Sequence, residues 1–457
     1  MQNDDVPERK RGKGLVETFV RGASSAFVLN VSARGLNFIV QIVLARWLTV
    51  GGYGIYALVV ASVSMLVILG KLGLDTVVLR YVAALYTESA WARLRGVLTG
   101  SNRIALGSSL LILAVGEVIL YFFGDGMEPA LRRSWQIGLL LVPLLVMTGL
   151  RQEALRALRR IVAARFPENI LVPVSMLGVL FFFHLGGKSG PEYALIARLV
   201  AVGGAFALGS WLLLRALPPT VKKASPEYHT RTLFMESLPY LLVASMQVVM
   251  GRIDVIMLGY YMDVSQVGLY NAAVQLTMIA EFGLVAANTI AAPMISSYHA
   301  QGDRAALQKT VSLTALGAAG FSLLVVLGFL FFGRFALQLF GEAYLASWSV
   351  LWILLIGRVG SALAGPVGWI LAMTGQQKFL SKLLIILAIV GIVLNMALIP
   401  ILGAKGAALA TMIVTILSNG VMGYHVFQKL KINPTCFSLP IFRGLMSRLS
   451  HSVRKME

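Results

Sequence analysis

Apolar runs of membrane-crossing length dominate the chain, and polar residues break them at helical rather than alternating intervals. About 12 stretches approach the ~20 residues that a helix needs to cross the hydrocarbon core. They cover residues 26–48, 53–74, 104–123, 136–156, 169–185, 193–214, 238–261, 267–297, 311–332, 345–373, 383–401 and 407–427. The strands of a transmembrane barrel would read as ~10-residue alternating segments, and these stretches do not. The pattern predicts an all-α polytopic membrane protein with about 12 transmembrane helices in two pseudo-symmetric six-helix lobes. The first run starts some way into the chain and lacks a small-residue cleavage pattern, so it is expected to be a spanning helix rather than a removed signal.

The two-lobe expectation rests on a repeat. Residues 44–60 read LARWLTVGGYGIYALVV and residues 258–274 read LGYYMDVSQVGLYNAAV. Without a gap, Leu44 matches Leu258, Val50 matches Val264, Gly54 matches Gly268, Tyr56 matches Tyr270 and Val60 matches Val274. Duplicated halves in a strongly apolar chain point to a transporter with a site between related bundles. The expected division is a cytoplasmic segment 1–25, a lobe 26–216, a proline-rich basic linker 217–233, a lobe 234–430 and a basic tail 431–457. Phe437 to Val453 mixes apolar and basic residues, as a tail lying on anionic lipid does. Pro143, Pro173, Pro239, Pro293 and Pro366 fall inside spans and are expected to kink them.

Polar residues within the spans are the candidate chemistry, because they are costly in lipid and tend to face protein or a wet cavity. Asn30, Arg34, Asn37 and Gln41 follow one another at intervals of four, three and four, which is one face of the first helix. Tyr240, Gln247, Gly251 and Asp254 share a face of the seventh helix, whereas Arg252 lies about 200° from Asp254. Tyr270, Thr277 and Glu281 share a face of the eighth, with Glu281 near mid-span. Arg198 and Arg358 are further cations within spans. A substrate cavity is expected from Asn30, Arg34, Asn37, Gln41, Gln247, Arg252 and Arg358, and ion coupling from Asp254 and Glu281. Asp75 and Arg80 read as interfacial anchors.

The formal charge of +19 is spread unevenly. With the N-terminus inside, most Lys and Arg fall in cytoplasmic segments, among them Arg9, Lys10, Arg93, Arg95, Arg159, Arg160, Lys222, Lys223, Lys429 and Lys431. That is the positive-inside bias; it places both termini in the cytoplasm and argues against nucleic acid as a partner. The single Cys436 excludes an internal disulfide. Five scattered histidines show no ligand spacing, and no phosphate-binding loop occurs, so neither a metal, a cofactor nor an enzymatic site is expected.

The run Ala45 to Tyr56 resembles the A-R-x-L-G-P-x-E-Y-G-x-Y signature of polysaccharide flippases, with Thr49-Val50-Gly51-Gly52 in place of Gly-Pro-x-Glu. Lys71 to Thr76, Leu79-Arg80-Tyr81, Arg252-Ile253-Asp254, Leu258 to Tyr261 and Val267 to Ala273 are similar to the same family. This is the O-antigen and exopolysaccharide branch of the multidrug, oligosaccharidyl-lipid and polysaccharide exporter superfamily. The resemblance implies a V-shaped pair of six-helix lobes in the cell inner membrane. It implies flipping of polyprenyl-pyrophosphate-linked oligosaccharide to the periplasmic leaflet for lipopolysaccharide or exopolysaccharide synthesis. Its partners would be membrane lipids, the lipid-linked substrate and polysaccharide polymerase machinery. A multidrug exporter would be expected to have an acid-rich cavity, and the ionisable groups here favour Arg. A lipid II flippase often carries more helices. A membrane glycosyltransferase would need a large extramembrane loop with catalytic carboxylates, and no such loop is seen. A membrane scaffold leaves the paired polar stripes without a purpose.

Overall fold

A computed structural model describes residues 31–436; the segment 1–30, with Asn30, and the tail from 437 lie outside the described residues. Among the described residues the chain is helical throughout, with no strand. Helix α1 covers residues 31–47, followed by α2 (Val50–Lys71), α3 (Leu74–Thr87), α4 (Trp91–Phe123), α5 (Pro129–Ala157), α6 (Ile161–Phe166), α7 (Val172–Leu185), α8 (Pro191–Ala216) and α9 (Pro219–Lys223). Then come α10 (Thr230–Tyr261), α11 (Val264–Gln301), α12 (Arg304–Gln338), α13 (Trp348–Ala364), α14 (Val367–Met373), α15 (Gln377–Leu402) and α16 (Ala404–Leu430). Among the described residues, 11 helical segments have the length and apolarity to cross a membrane, and they correspond to the second through twelfth expected spans. The first expected span is helical over its described part, 31–47.

Local chemistry explains where the helices begin and end. Thr49 caps α2 by accepting from the Gly52 amide at 3.0 Å, and Asp263 caps α11 by accepting from the Ser265 amide at 3.3 Å. These two caps are equivalent positions of the repeat, so the departure from the signature at Thr49 supplies α2 with the side-chain cap that Asp263 gives α11. Pro129 and Pro191 open α5 and α8 at positions where the missing amide costs nothing. Gly302 closes α11 in the left-handed conformation, at φ 72°.

The expected proline kinks sort into two groups. Pro143, Pro239 and Pro293 lie inside continuous helices. Pro173 instead sits in the first turn of α7, after a π-helical turn at Pro167–Leu171, and Pro366 ends α13, so the span expected at 345–373 is broken in two. Gly365 precedes that break at φ 78°, and a Cβ there would lie 2.4 Å from the Pro434 carbonyl oxygen. Asp75 and Arg80 lie in α3, a separate short helix, rather than at the end of the second span.

The chain forms two compact units. Among the described residues, one contains residues 31–47 together with Ser62–Ser245; the other contains Leu48–Ala61 and residues 246–436. Both α2 and α10 therefore contribute residues to each unit. In the first unit, α5 packs on α8, α4 and α3. Small residues Ala194, Ala197, Ala201, Ala205 and Gly209 line a buried stripe of α8 at intervals of three and four, the pattern that lets membrane helices approach closely. In the second unit, α11 packs on α12 and α13, and α16 on α13 and α15. Its core gathers Ile295, Val311, Ile370, Leu387 and Val426, all nearly inaccessible.

The segment expected as a basic connector at 217–233 packs along α4. Arg95 on α4 donates through Nη1 to the carbonyls of Lys222 and Ala224, both at 2.7 Å, and the Glu227 amide donates to Ala92 at 3.1 Å. Gly96 permits this contact, since a Cβ there would stand 1.7 Å from the Glu227 carbonyl oxygen. Arg103, farther along α4, lies over the Tyr228 ring at 5.0 Å.

Candidate functional site

The two copies of the repeat meet in the second unit. A Cβ on Gly54 would lie 1.8 Å from the Val264 carbonyl oxygen, and one on Gly268 would lie 2.3 Å from that of Val50. Each glycine thus lies against the carbonyl of the valine equivalent to its own helix's first residue. Equivalent residues contact reciprocally, as an approximate two-fold relation between the copies requires. Nearby, Asn271 donates to the Tyr53 hydroxyl at 2.8 Å, and the Tyr53 ring meets Tyr344 edge to face.

Beyond this crossing the symmetry ends. Tyr56 and Tyr270 are both fully buried equivalents. The Tyr270 hydroxyl makes a short hydrogen bond to Oδ2 of Asp254, whereas the residue in register with Asp254 in the first copy is Val40. Likewise Val63 stands opposite Thr277 and Val67 opposite Glu281. Duplication supplied the frame, and the acids belong to the second half alone.

Asp254 is buried, with 8% of its surface accessible. Its Oδ1 accepts from the Val255 amide at 2.8 Å, and its Oδ2 also accepts from the Thr411 hydroxyl at 3.3 Å. A cavity of about 80 Å³ borders it, lined by Met250, Asp254, Asn395, Thr411, Thr415 and Ser418. Asn395 is 2% accessible; its Nδ2 donates to the Gly391 carbonyl at 2.7 Å, and its Oδ1 has no partner. Thr415 and Ser418 donate their hydroxyl protons to carbonyls of their own helix. The polar lining thus offers a carboxylate, an amide oxygen and hydroxyl oxygens whose protons are already engaged. That is an acceptor-rich pocket in an apolar unit.

The second acid has a different setting. Arg358 on α13 pairs with Glu281 on α11 at 3.1 Å, each side chain partly exposed. Two residues expected to serve separate purposes, substrate binding and ion coupling, are therefore partners. The face expected to unite Gln247, Gly251 and Asp254 is divided as well: Gln247 and Gly251 are exposed and Asp254 is buried. Burial changes along one stripe of α10 because its last part enters the packing of the second unit. Arg252 is half-buried there.

In the first unit, Arg34 and Asn37 are exposed on α1 and Gln41 is half-buried, with the Asn37 amide donating to the Ala33 carbonyl at 2.8 Å. Sequence reading passed over Asn395, Thr411 and Ser418, although an asparagine inside the strongly apolar α15 is the signal that marks such a position. It also passed over Arg151 on α5. That guanidinium donates through Nη1 to Oδ1 of Asn102 at 2.5 Å and through Nε to the Ser210 hydroxyl at 3.3 Å, and it lies 5.4 Å from the centre of the Phe206 ring.

The fold is shared with membrane transporters of known structure. An inward-facing multidrug transporter of the MATE family superposes with a TM-score of 0.70 at 16% identity, over 88% of this chain and 98% of that one. The lipid II flippase MurJ, in an inward closed conformation, gives 0.70 at 13% identity, over 88% and 87%. A transporter from Pyrococcus furiosus, described as having a binding pocket of reversed polarity, gives 0.63 at 13% identity, over 90% and 96%. At these identities the likeness shows the fold alone. A search of curated proteins returns no significant match. Residues 19–299, more than half of the sequence, match the model of one family, and this multi-pass membrane protein accordingly belongs to the polysaccharide biosynthesis protein family.

Proposed function

We propose that the protein is a flippase. It moves polyprenyl-pyrophosphate-linked oligosaccharide from the cytoplasmic to the periplasmic leaflet of the cell inner membrane, driven by a proton or sodium gradient acting at Asp254. Family membership supports the substrate class, and it favours saccharide intermediates over drugs or lipid II where fold alone does not choose. The observation that carries the coupling assignment is the cavity beside Asp254. A buried carboxylate, an unpartnered amide oxygen and hydroxyl oxygens form a set that holds a proton or a hard monovalent cation without water.

In this reading the lobes 26–216 and 234–430 alternate access. Asn30, Arg34, Asn37, Gln41, Gln247 and Arg252 contact the head group, and the lipid tail stays in the bilayer. Glu281 and Arg358 neutralise one another and act together, so coupling rests on Asp254 rather than Glu281. The chain transports and does not catalyse; its partners are the lipid-linked saccharide, membrane lipids and polysaccharide polymerase machinery.

Proteoliposomes loaded with lipid-linked oligosaccharide test this. Asp254→Asn is expected to flip substrate passively and to lose stimulation by an imposed proton or sodium gradient. Gradient stimulation equal to wild type in Asp254→Asn overturns the coupling assignment, and absence of saccharide flipping by the wild-type protein overturns the substrate class.

A further inference from the structure

We infer that Arg151, Asn102 and Ser210 form a binding site for phosphate oxygens in the first unit, suited to a prenyl-linked diphosphate or an anionic lipid head group. A cation within a membrane-spanning helix is costly and normally has a partner of opposite charge or a carbonyl ligand. Arg151 has neither an acidic partner nor a backbone carbonyl among the described residues. The nearest acid along its own helix, Glu153, is held by both oxygens to Arg156 at 2.8 Å, which leaves Arg151 in contact with neutral groups only.

The hydrogen-bond inventory shows what the cluster lacks. A guanidinium carries five N–H donors. Arg151 uses two of them, one to Asn102 and one to Ser210, so three remain. By accepting from Arg151 through Oδ1, Asn102 keeps its amide N–H groups available, and Ser210, accepting at its hydroxyl oxygen, keeps its proton. The cluster therefore presents donors almost exclusively, around one full positive charge. All three side chains are partly accessible rather than sealed. Ser210 holds the Nε proton and Asn102 one Nη1 proton, with the Phe206 ring nearby, so the guanidinium plane is fixed while both Nη2 protons and the second Nη1 proton stay open to an oxyanion.

Depth selects phosphate. Arg151 stands six residues before the end of α5 at Ala157, and Ser210 six before the end of α8 at Ala216. At 1.5 Å per residue this is roughly 9 Å from the helix ends, near the boundary where lipid phosphates lie. The diphosphate case rests on the flippase reading; the site itself does not.

The test is direct binding to the full-length protein in nanodiscs of purely zwitterionic lipid, with labelled farnesyl diphosphate as probe and farnesol as the phosphate-free control. Wild type is expected to bind the diphosphate and to ignore farnesol. Arg151→Lys, which keeps the charge and loses the fork, is expected to weaken binding about tenfold, the worth of one charge-assisted hydrogen bond. Asn102→Leu is expected to weaken it similarly through loss of orientation. Displacement by phosphatidylglycerol at a few mole per cent assigns the site to bulk anionic lipid, and displacement by prenyl diphosphate alone assigns it to the transported class. Wild-type affinity in both variants, with unchanged melting temperature, overturns the proposal, as does equal binding of farnesol. Loss of binding with gradient-driven flipping intact keeps the phosphate site and separates it from transport.

Discussion

Gly54 and Gly268 show how much one hydrogen atom in place of a side chain decides. Each lies against a backbone carbonyl of the other helix, so any side chain forces α2 and α11 apart rather than rotating out of the way. Gly54→Val is expected to destabilise the protein by ~3 kcal/mol or more. Gly107→Ala on α4, where nothing lies within 4 Å of the added carbon, is expected to be neutral or to stabilise by about 0.5–1 kcal/mol. Thermal unfolding of the two variants in detergent checks the contrast. Asp263, outside the spans, carries a carboxyl held below its usual range, first by the Ser265 hydroxyl and then by the Ser265 and Val264 amides. Because the folded value is the lower one, its stabilising effect is present above about pH 4 and fades as pH falls through the folded value. Asp263→Ala is expected to cost about 1 kcal/mol of helix capping at neutral pH, with a smaller difference from wild type in acid.

At the scale of elements, connecting segments are pinned by single side chains. Arg95 and Gly96 hold the 219–229 stretch along α4. Gln308 does the same for the segment after α16, donating to the Asn433 carbonyl at 2.7 Å and accepting from the Asn433 amide at 2.8 Å. This hold seats Cys436 against Ala315 and Ala319, where burial raises its thiol above the ordinary value. A thiol so placed reacts slowly. Gln308→Leu removes both bonds and is expected to speed maleimide labelling of Cys436 several-fold in the folded protein. Equal labelling rates would mean that the segment is held by other contacts. Sequence reading took the polar, proline-containing composition of these segments as a cytoplasmic linker and a basic tail. It had no means of knowing that Gly96 and Gln308, far away along the chain, complete them.

Across the whole molecule, helix ends and charge agree. Lys71, Arg156, Arg215 and Lys429 occupy the last turns of α2, α5, α8 and α16, all ends expected to face the cytoplasm. A reporter active only outside the cytoplasm is expected to give no signal when fused at the C-terminus and a strong one when inserted at Gly187, between α7 and α8. The reverse result would invert the orientation.

Helix type and the second through twelfth spans were legible in the sequence. A helix in lipid satisfies its backbone internally, so apolar length and local capping suffice to specify it. The repeat was legible for the same reason, since residue-by-residue register is a property of the chain. What only the tertiary structure decided is which polar residues meet. Asp254 finds Thr411 and shares a cavity with Asn395, both on helices distant in sequence, Glu281 finds Arg358, and Arg151 finds Asn102 and Ser210. Helical periodicity assigns a residue to a face but does not say which helix that face meets. An acid on a shared stripe thus becomes a buried acceptor in one case and half of an ion pair in the other.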